Sequence, residues 1–211
     1  MNHAPQRLPN ASPVRVVLAS ASAARARLLA DAGVALTTIP AAVDEAEVKA
    51  AMRGEDVAAI EAATILAEVK ATRVATQAGP EAIVIGADQI LVCQGRWFDK
   101  PEDMSEARAH LQELRGRDHT LATSVVACRG GARVWHAVAS PRLWMRPFSD
   151  AFLDAYLATA GTDVLQSVGA YHIEGLGAQL FGRIEGDPFA IQGLPLLPLL
   201  AFLRDQGVLD D

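Results

Sequence analysis

The sequence predicts a mixed α/β fold, and three observations support this prediction. Short apolar runs rich in β-branched residues alternate along the chain with alanine- and leucine-rich segments of helical spacing. Glycines and helix-capping residues separate the two kinds of segment, as they do at the ends of helices and strands. The composition agrees, because 51% of the 211 residues are hydrophobic and 21% are charged, which is typical of a globular chain.

The first half of the chain predicts four elements. Residues 14–19 form an apolar, β-branched run that predicts a buried strand. The helix after it is predicted to run to residue 32, with serine as its N-cap and Gly33 at its C-terminal end. Residues 36–42 predict a second strand, and residues 56–77 predict a long helix because apolar side chains recur there at helical spacing.

The second half of the chain predicts further strands and shorter helices. Residues 82–92 have a strand pattern that Gly86-Ala87-Asp88-Gln89 interrupts, and a tight turn then leads into Trp97-Phe98. A β-hairpin is predicted around Gly130-Gly131, with strands over 120–128 and 133–145. Helices are predicted at residues 105–114, 149–160 and 196–206.

Charge, cysteine content and hydropathy argue against several classes of protein. The 19 basic and 25 acidic residues give a net charge of −6, which disfavours broad binding to a nucleic acid polymer or an anionic membrane. Cys93 and Cys128 are too few for a disulfide framework and lack the spacing of a metal or redox motif, so a reduced, cytoplasmic protein is expected. The most apolar stretch, 190–203, contains Gln192 and two prolines, so no membrane span is predicted.

The chain is predicted to form a single domain behind a flexible tail. Residues 1–13 are polar, contain three prolines and lack the apolar stretch of a signal peptide, so a flexible N-terminal tail is expected. Residues 14–211 contain no low-complexity linker, charge block or internal repeat. They are therefore predicted to belong to one domain.

Asp88 is the first candidate for chemistry. It stands inside an otherwise apolar strand segment, where an ionised carboxylate is costly unless it is paired or bound to a metal. The structural alternative is an aspartate at a strand end that caps neighbouring backbone groups. Its position alone leaves both interpretations open.

The loop of residues 20–25 is a candidate anion site. Backbone amides at a helix N-terminus bind anions, and Ser20 and Ser22 add hydroxyl donors. Arg25 falls in the first helical turn, where a cation opposes the helix dipole, so an anionic partner nearby is expected. The alternative is a solvated surface arginine. The chain has neither G-x-G-x-x-G nor a P-loop motif, so those two phosphate-binding folds are not supported.

Other charged residues are candidates that also have plain surface explanations. Lys100 can present a point charge to a phosphate, and Lys70 is similar. Glu45, next to another acidic residue, suits a hard cation such as Mg²⁺ and equally suits the start of a helix. Glu174 stands among the glycines of residues 169–177, which permit close backbone approach. His119 has no spacing that would suggest a metal pair.

Taken in order, these segments resemble the Maf family of nucleoside triphosphate pyrophosphatases over residues 14–203. No single motif is decisive, but the ordered set is specific. The matching segments are residues 18–33 (LASASAARARLLADAG), Val43-Asp44-Glu45, residues 66–70, Gly86-Ala87-Asp88-Gln89, Lys100-Pro101 with the helix after it, residues 116–119, residues 169–177 and Gly193-Leu194-Pro195-Leu196.

The resemblance implies both a fold and an activity. The implied fold is an elongated mixed β-sheet with flanking helices and two lobes around a cleft, similar to that of the inosine triphosphate pyrophosphatases. The implied reaction is hydrolysis of the α–β phosphoanhydride of a nucleoside triphosphate, which yields the monophosphate and pyrophosphate. Family members typically require a divalent cation, Mg²⁺ or Mn²⁺, and are often homodimers. In the family, the counterpart of Asp88 is assigned as the catalytic proton acceptor.

The residue chemistry is consistent with this activity. A triphosphate carries about four negative charges and the chain is net acidic, so binding needs a concentrated local positive field. Glu45 and Asp88 are predicted to hold the cation, and Asp88 is also predicted to accept a proton from the attacking water. Whether Asp88 is base or ligand stays open. The predicted phosphate-binding residues are Ser20, Ser22, Arg25, Lys70 and Lys100.

Three positions bear on which base is bound. The thymidine- and uridine-selective branch usually has Thr after the aspartate and Gln in the late glycine motif, whereas Gln89 and Glu174 resemble the branch acting on 7-methylguanosine triphosphate. A carboxylate can accept hydrogen bonds from the N1–H and N2–H₂ edge of guanine. Ala24 argues against this base, because it replaces one of the family's two arginines and that branch tends to have an aromatic residue there. We expect 7-methylguanosine triphosphate, with thymidine or uridine triphosphate as the alternative.

Two other classes of function stay open. One is a non-catalytic, nucleotide-binding regulator of cell division, against which the retained Asp88, Glu45, Lys70 and Lys100 argue. The other is a general α/β interaction module, which would leave Asp88 in its apolar strand and the late glycine cluster unexplained. Release of pyrophosphate separates the enzyme from both.

Overall fold

The structure is a computed structural model that describes residues 14–210 of the chain. The predicted N-terminal tail, residues 1–13, lies outside the described residues. The strands are β1 (Val16–Leu18), β2 (Leu36–Thr38), β3 (Ile83–Cys93), β4 (Arg96–Phe98), β5 (Asp118–Arg129), β6 (Ala132–Ala139), β7 (Arg142–Met145) and β8 (Phe181–Glu185). The helices are α1 (Ala23–Asp31), α2 (Glu45–Gly54), α3 (Ala59–Ala78), α4 (Met104–Leu114), α5 (Asp150–Ala160), α6 (Pro188–Ile191) and α7 (Leu196–Asp205).

The strands of the described part form one mixed sheet. Its order is β2-β1-β3-β5-β7-β8, with β4 paired to β3 and β6 paired to β5. Strand β1 pairs in parallel with β2 and β3, whereas the β3–β4, β5–β7 and β7–β8 pairs are antiparallel. Parallel neighbours need long crossovers, which α1 and the α2–α3 segment supply here. The predicted mixed α/β class is confirmed.

The chain divides into two compact units, each with its own core. Among the described residues, unit 1 comprises 14–88, 123–138 and 193–210, and unit 2 comprises 89–122 and 139–192. Strands β3 and β5 therefore each contribute residues to both units. No helix within residues 14–210 is long and apolar enough to cross a membrane. The prediction of one domain with two lobes around a cleft stays a prediction.

One core cluster of unit 1 is formed by helix α3 and by strand residues that include Val17 and Val84. Helix α3 contributes alanines to this core, and small side chains let a helix backbone come close to a sheet. The approach is closest at Gly86, where a Cβ atom would lie 2.0 Å from the carbonyl oxygen of Ala67. Only glycine is compatible with this distance, so Gly86 determines how near α3 and β3 can lie.

The core of unit 2 contains most of the aromatic side chains of the described residues. Phe98, Phe148, Tyr156 and Tyr171 are buried there together with leucines of α4, α5 and β7. The segment that follows α5 passes through two 3₁₀ turns, Gly161–Gln166 and Leu176–Leu180, before it enters β8. Unit 2 therefore fixes the glycine-rich segment of residues 169–177 against a dense apolar core.

Local signals at helix ends predict several elements correctly. Ser22 is the N-cap of α1, and its side chain accepts a hydrogen bond from the amide of Arg25. Asp103 caps α4 and Ser149 caps α5 in the same way. Gly33 follows the C-cap of α1 with a φ of 81°, as expected of a helix-terminating glycine. The predicted long helix and final helix correspond to α3 and α7 with shifted ends.

Two expectations about the strands are wrong. Strand β3 runs without interruption through residues 86–89. Gly86 is there because α3 packs closely on the strand, and the charge of Asp88 is tolerated there because Lys70 forms an ion pair with it. The single strand predicted over 133–145 is two strands, β6 and β7, and β7 pairs with Asp118–Thr120 at the beginning of β5. Pro141 separates the two strands, because proline cannot donate to a ladder hydrogen bond.

Candidate active site

Unit 1 brings together four of the predicted site residues from four elements. Asp88 lies in β3, Lys70 in α3, Glu45 at the first position of α2, and Arg25 in the first turn of α1. Lys70 contacts both carboxylates, while the Arg25 guanidinium binds the carbonyl of the residue that precedes Asp88. The site thus lies at the middle of β3, where α1, α2 and α3 each contribute one charged side chain.

Asp88 is a buried carboxylate with one oxygen committed. The residue is 3% exposed, and its Oδ1 accepts a hydrogen bond from Lys70 Nζ at 2.6 Å. The other oxygen, Oδ2, is buried and has no hydrogen-bond partner within the described part of the chain. Native proteins rarely leave a buried polar atom unsatisfied, so such an atom indicates a bound water, a ligand, an ion or a catalytic role. Asp88 does not act as a strand-end cap, since β3 continues to Cys93.

Lys70 links the two carboxylates of the site. Its Nζ lies 2.8 Å from Glu45 Oε1 as well as 2.6 Å from Asp88 Oδ1. The lysine and aspartate side chains are almost completely buried, whereas the glutamate side chain is 42% exposed. One cation therefore lies between two anions, and the exposed side of Glu45 is where a charged ligand can reach this group of three.

Glu45 is held in its charged form by several cations. Burial raises the pKa of Glu45, but the charge and hydrogen bond of Lys70 and the charges of Lys49 and Arg25 outweigh this effect, so its pKa lies below the ordinary value. Asp44, rather than Glu45, caps α2, because its side chain accepts from the Glu47 amide at 3.0 Å. The carboxylate of Glu45 therefore does not serve as the helix cap.

Arg25 joins three segments of unit 1. Its Nε donates to the Gly193 carbonyl at 2.8 Å, and its Nη1 donates to the Ala87 carbonyl at 2.9 Å and to Ser20 Oγ at 3.3 Å. The third nitrogen, Nη2, takes part in none of these bonds. Burial lowers the pKa of Arg25, and the negative charges of Asp88 and Glu45 act against this shift. Arg25 is therefore a fixed cation within the site and not a solvated surface arginine.

The two serines shape the loop before α1. Ser20 is 8% exposed, and its Oγ accepts from the Ser22 amide at 3.1 Å and from Arg25. Ser22 Oγ accepts from the Arg25 amide at 3.4 Å as the N-cap. Both hydroxyl groups act as acceptors here, and each still carries a proton that it can donate to a phosphate oxygen. Their role in phosphate binding stays a prediction.

The remaining predicted site residues lie on other elements. Ala24 is a half-buried residue of α1, in unit 1. Gln89, Lys100 and Glu174 belong to unit 2. Lys100 follows β4 and Glu174 lies in the glycine-rich segment, and both are exposed. The Gln89 amide donates to the carbonyls of Ala190 and Ile191 at 2.8 and 3.3 Å. Whether these residues bind phosphate or base stays a prediction.

Two residues of unit 1 contribute to the site without having been predicted to do so. Gly193 has a φ of 98°, and a Cβ atom there would lie 3.1 Å from Arg25 Nε, so glycine keeps space for the guanidinium. Lys49 is 6% exposed and stands one turn after Glu45 on α2. The motif that contains Gly193 is visible in the sequence, but α2 is not predicted, so the burial of Lys49 could not be foreseen.

The donor set fits a divalent cation that is shared with the substrate. No group of three or more His, Cys, Asp or Glu residues within 14–210 could hold a metal ion by itself. Asp88 Oδ2 is nevertheless a buried acceptor that needs a partner. Glu45 forms an ion pair with Lys70, the lysine that also binds Asp88. Mg²⁺ is commonly bound by one or two carboxylates together with substrate phosphates and waters. These two carboxylates therefore fit such a cation only when phosphate oxygens complete its shell.

Comparison with known proteins identifies the family. The family model described as Maf-like protein matches residues 15–206, which is nearly the whole chain. The chain belongs to the Maf-like protein family. The resemblance that the ordered motifs indicated is thereby confirmed.

Relatives within this family have related names. The nucleoside triphosphate pyrophosphatase of Granulibacter bethesdensis is 54% identical over 196 residues, which cover 93% of this chain and 99% of that protein. A protein of the same name from Rhodospirillum rubrum is 54% identical over 194 residues, with 92% and 96% coverage. The 7-methyl-GTP pyrophosphatase of Rhizobium meliloti is 45% identical over 195 residues, with 92% and 98% coverage.

Proposed function

We propose that this member of the Maf family is a nucleoside triphosphate pyrophosphatase, a hydrolase that cleaves the α–β phosphoanhydride to release the monophosphate and pyrophosphate. One observation carries the proposal: Asp88 is buried beside Lys70 with Oδ2 left without a partner among the described residues. The same activity class is supported by several relatives named nucleoside triphosphate pyrophosphatase, which are 54% identical to this chain over nearly its full length.

The cations of unit 1 suit a triphosphate. Arg25, Lys49 and Lys70 provide three positive charges against the two carboxylates, so the group carries an excess positive charge. Arg25 is held by two backbone carbonyls, which orients its guanidinium before the substrate arrives. Phosphoryl transfer depends mainly on positioning and on stabilising charge, and fixed cations supply both. Ser20, Ser22 and Lys100 are proposed to donate further hydrogen bonds to phosphate oxygens.

Asp88 is proposed to take the proton of the attacking water. Oδ2 is the oxygen available for this, because Oδ1 is bound to Lys70. Glu45 and Asp88 are the residues that would hold a divalent cation, Mg²⁺ or Mn²⁺, together with the phosphates. When bound, that cation neutralises charge on the phosphates and orients them. The geometry supports Asp88 equally as base and as ligand, and the two roles predict the same loss on substitution.

The base is proposed to be 7-methylguanine. Glu174 offers an exposed carboxylate that can accept from the Watson–Crick edge of guanine, and Gln89 follows Asp88 as in the branch that the sequence resembles. The Rhizobium meliloti relative with the name 7-methyl-GTP pyrophosphatase supports this choice. Thymidine or uridine triphosphate is the alternative substrate, since Ala24 supplies no ring to stack on a purine. A homodimer in the cytoplasm is the expected state of the protein.

A screen for released pyrophosphate tests this proposal. Canonical and modified triphosphates are incubated with the protein and Mg²⁺ or Mn²⁺, and inorganic pyrophosphatase converts the product to phosphate for detection. We expect turnover of 7-methylguanosine triphosphate, at least a hundredfold loss in Asp88→Asn, and no loss in Asp150→Asn, an exposed control carboxylate. Preference for a pyrimidine triphosphate would move the base assignment to the alternative. Nucleotide binding without pyrophosphate release would contradict catalysis and favour the regulator.

A further inference from the structure

The segment that carries Glu174 is anchored in unit 2 by a buried histidine and tyrosine. His119, in β5, is 1% exposed, and its Nε2 lies 2.7 Å from the Oη of Tyr171, which is 3% exposed. The rings of Tyr171 and Phe181 flank the imidazole at centroid distances of 5.7 and 5.8 Å. This His119–Tyr171 bond is therefore enclosed by aromatic rings and joins the sheet to residues 169–177.

Two further hydrogen bonds fix the same segment. Tyr156 Oη donates to the Ala170 carbonyl at 3.2 Å, and a ring nitrogen of His172 lies 3.0 Å from the Asp163 carbonyl oxygen. Ala170 has a φ of 59°, a left-handed conformation that a residue with a side chain keeps only where its surroundings impose it. The segment is thus held in one backbone conformation by its contacts rather than by local preference.

Two glycines of the segment have no room for a side chain. A Cβ atom on Gly169 would lie 2.5 Å from Leu91 Cδ1 and 2.9 Å from Cε1 of Tyr171. A Cβ atom on Gly177 would lie 2.5 Å from the His172 carbonyl oxygen. Glycine is required at both positions, because Gly169 lies against the core residue Leu91 and Gly177 lies against the backbone of His172. Glu174 stands between these two contacts, three residues after Tyr171.

His119 has no role in the chemistry proposed for unit 1. It belongs to unit 2, and burial lowers its pKa to about 4, so the imidazole is neutral at neutral pH. Its Nδ1 is buried without a hydrogen-bond partner among the described residues. Burying a polar ring that makes a single hydrogen bond lowers the stability of a core compared with an apolar side chain. The hydrogen bond to Tyr171 therefore indicates a function beyond packing.

We propose that His119 is a positioning residue for base recognition: through Tyr171 it fixes residues 169–177 and thereby the direction in which Glu174 presents its carboxylate. This inference rests on the proposed function, because it assigns Glu174 to the base. Preorganisation of this kind improves discrimination between ligands, since a mobile carboxylate would accommodate several bases and lose entropy on binding each.

The test compares three variants. Tyr171→Phe removes only the hydroxyl group, and His119→Gln removes the ring while keeping a polar side chain. His110→Gln is the matched control, because His110 is also a buried histidine of unit 2, 4% exposed, with an edge contact to Phe98. Its Nδ1 likewise has no hydrogen-bond partner within residues 14–210. Amide hydrogen exchange over residues 169–177 reports the anchor directly and needs no activity.

Base recognition is measured separately from turnover. Dissociation constants for 7-methylguanosine and uridine triphosphates are determined by calorimetry in an Asp88→Asn background, and kcat and KM are determined without that substitution. For Tyr171→Phe we expect faster exchange in the segment, an affinity for the preferred nucleotide about fivefold weaker, and kcat within about twofold of the parent. The discrimination between the two bases falls by the same factor, and His110→Gln leaves both exchange and discrimination unchanged.

Several outcomes would overturn the positioning role. Unchanged amide exchange in both Tyr171→Phe and His119→Gln would show that the His119–Tyr171 bond does not fix residues 169–177. Faster exchange with unchanged discrimination would show that the fixed segment does not serve base recognition. A parent protein that binds nucleotides but releases no pyrophosphate would contradict the proposed function alone, because the calorimetric comparison still decides the role of His119.

Discussion

The Nζ atom of Lys70 lies 2.6 Å from Oδ1 of Asp88, and both side chains are buried. The two residues stand 18 positions apart in the chain, on α3 and β3, so the contact depends on how closely the helix packs on the strand. A charge in such a place is costly without its partner, whereas the pair together is tolerated. The stability of unit 1 and the chemistry of the site therefore depend on the same contact.

Removal of the lysine charge is predicted to be strongly destabilising. In Lys70→Met, Asp88 remains buried without a cation, and we expect the free energy of unfolding to fall by roughly 3–5 kcal/mol. Asp88→Asn is predicted to cost less, because Lys70 keeps its contact with Glu45. Urea denaturation at neutral pH measures both changes.

The double variant and a surface pair provide the controls for this prediction. Adding Asp88→Asn to Lys70→Met removes the orphaned charge and is expected to recover part of the lost stability. Arg133→Met breaks the exposed pair with Glu68 and is expected to cost less than about 1 kcal/mol. Equal costs for Lys70→Met and Arg133→Met would contradict a buried, coupled pair.

The glycine of β3 is predicted to tolerate no side chain. In Gly86→Ala the new Cβ would lie 2.0 Å from the Ala67 carbonyl oxygen, so α3 must move away and Lys70 moves with it. We expect a loss of about 3 kcal/mol or more in stability, together with loss of pyrophosphatase activity. Gly33→Ala is the control, because the φ of Gly33 is 81° but no atom of the described residues lies within 4 Å of the new Cβ, and this substitution should cost about 1 kcal/mol.

The exchange of Arg25 for lysine is predicted to impair catalysis more than stability. A lysine cannot reproduce the bonds from Nε to Gly193 and from Nη1 to Ala87, because it has a single nitrogen. We expect kcat/KM to fall about a hundredfold, with a shift of only a few degrees in Tm. Arg27→Lys, at an exposed position of the same helix, should retain activity. Equal values of kcat/KM in Arg25→Lys and Arg27→Lys would contradict a role of Arg25 in catalysis.

Glu45 is predicted to determine how much divalent cation the enzyme needs. Glu45→Gln removes one of the two carboxylates near Lys70, so the Mg²⁺ concentration for half-maximal activity should rise about tenfold. Glu47→Gln, in the same first turn of α2 and exposed, should leave that concentration unchanged. The measurement is a Mg²⁺ titration of initial rates at saturating nucleotide. An unchanged requirement in Glu45→Gln would exclude it as a ligand.

The stability of the protein is predicted to fall between neutral pH and pH 4 because of His119. Its pKa is about 4 in the folded protein against an ordinary 6.5, so the unfolded chain binds the extra proton first. The contribution is fully present above pH 6.5 and is lost as pH falls through that window, by roughly 3 kcal/mol in total. Denaturation of the parent and of His119→Gln at several pH values isolates this effect, and the gap between them should narrow toward pH 4.

Local signals account for the elements that the sequence predicted well. The α1 helix lies between a serine N-cap and Gly33, and the strand before it is a continuous apolar run. Elements without such signals were missed: β8 is exposed along most of its length, so it lacks the alternation of a half-buried strand. The beginning of α2 was visible only as an acidic pair that suited a cation equally well. A break in β3 was predicted because glycine is common at strand ends and turns, whereas Gly86 is required by the packing of α3 on the strand.

The sequence by itself determined the fold class, the family and the candidate site residues, because helix caps, apolar periodicity and ordered motifs are local properties of the chain. It also marked Asp88, since a carboxylate within an apolar strand is unusual wherever it occurs. Only the tertiary structure decided that Lys70 is the partner of this carboxylate, and that Arg25 binds a carbonyl 168 residues away. Those contacts depend on the close approach of separate elements at Gly86 and Gly193, and no local pattern encodes a distance between elements.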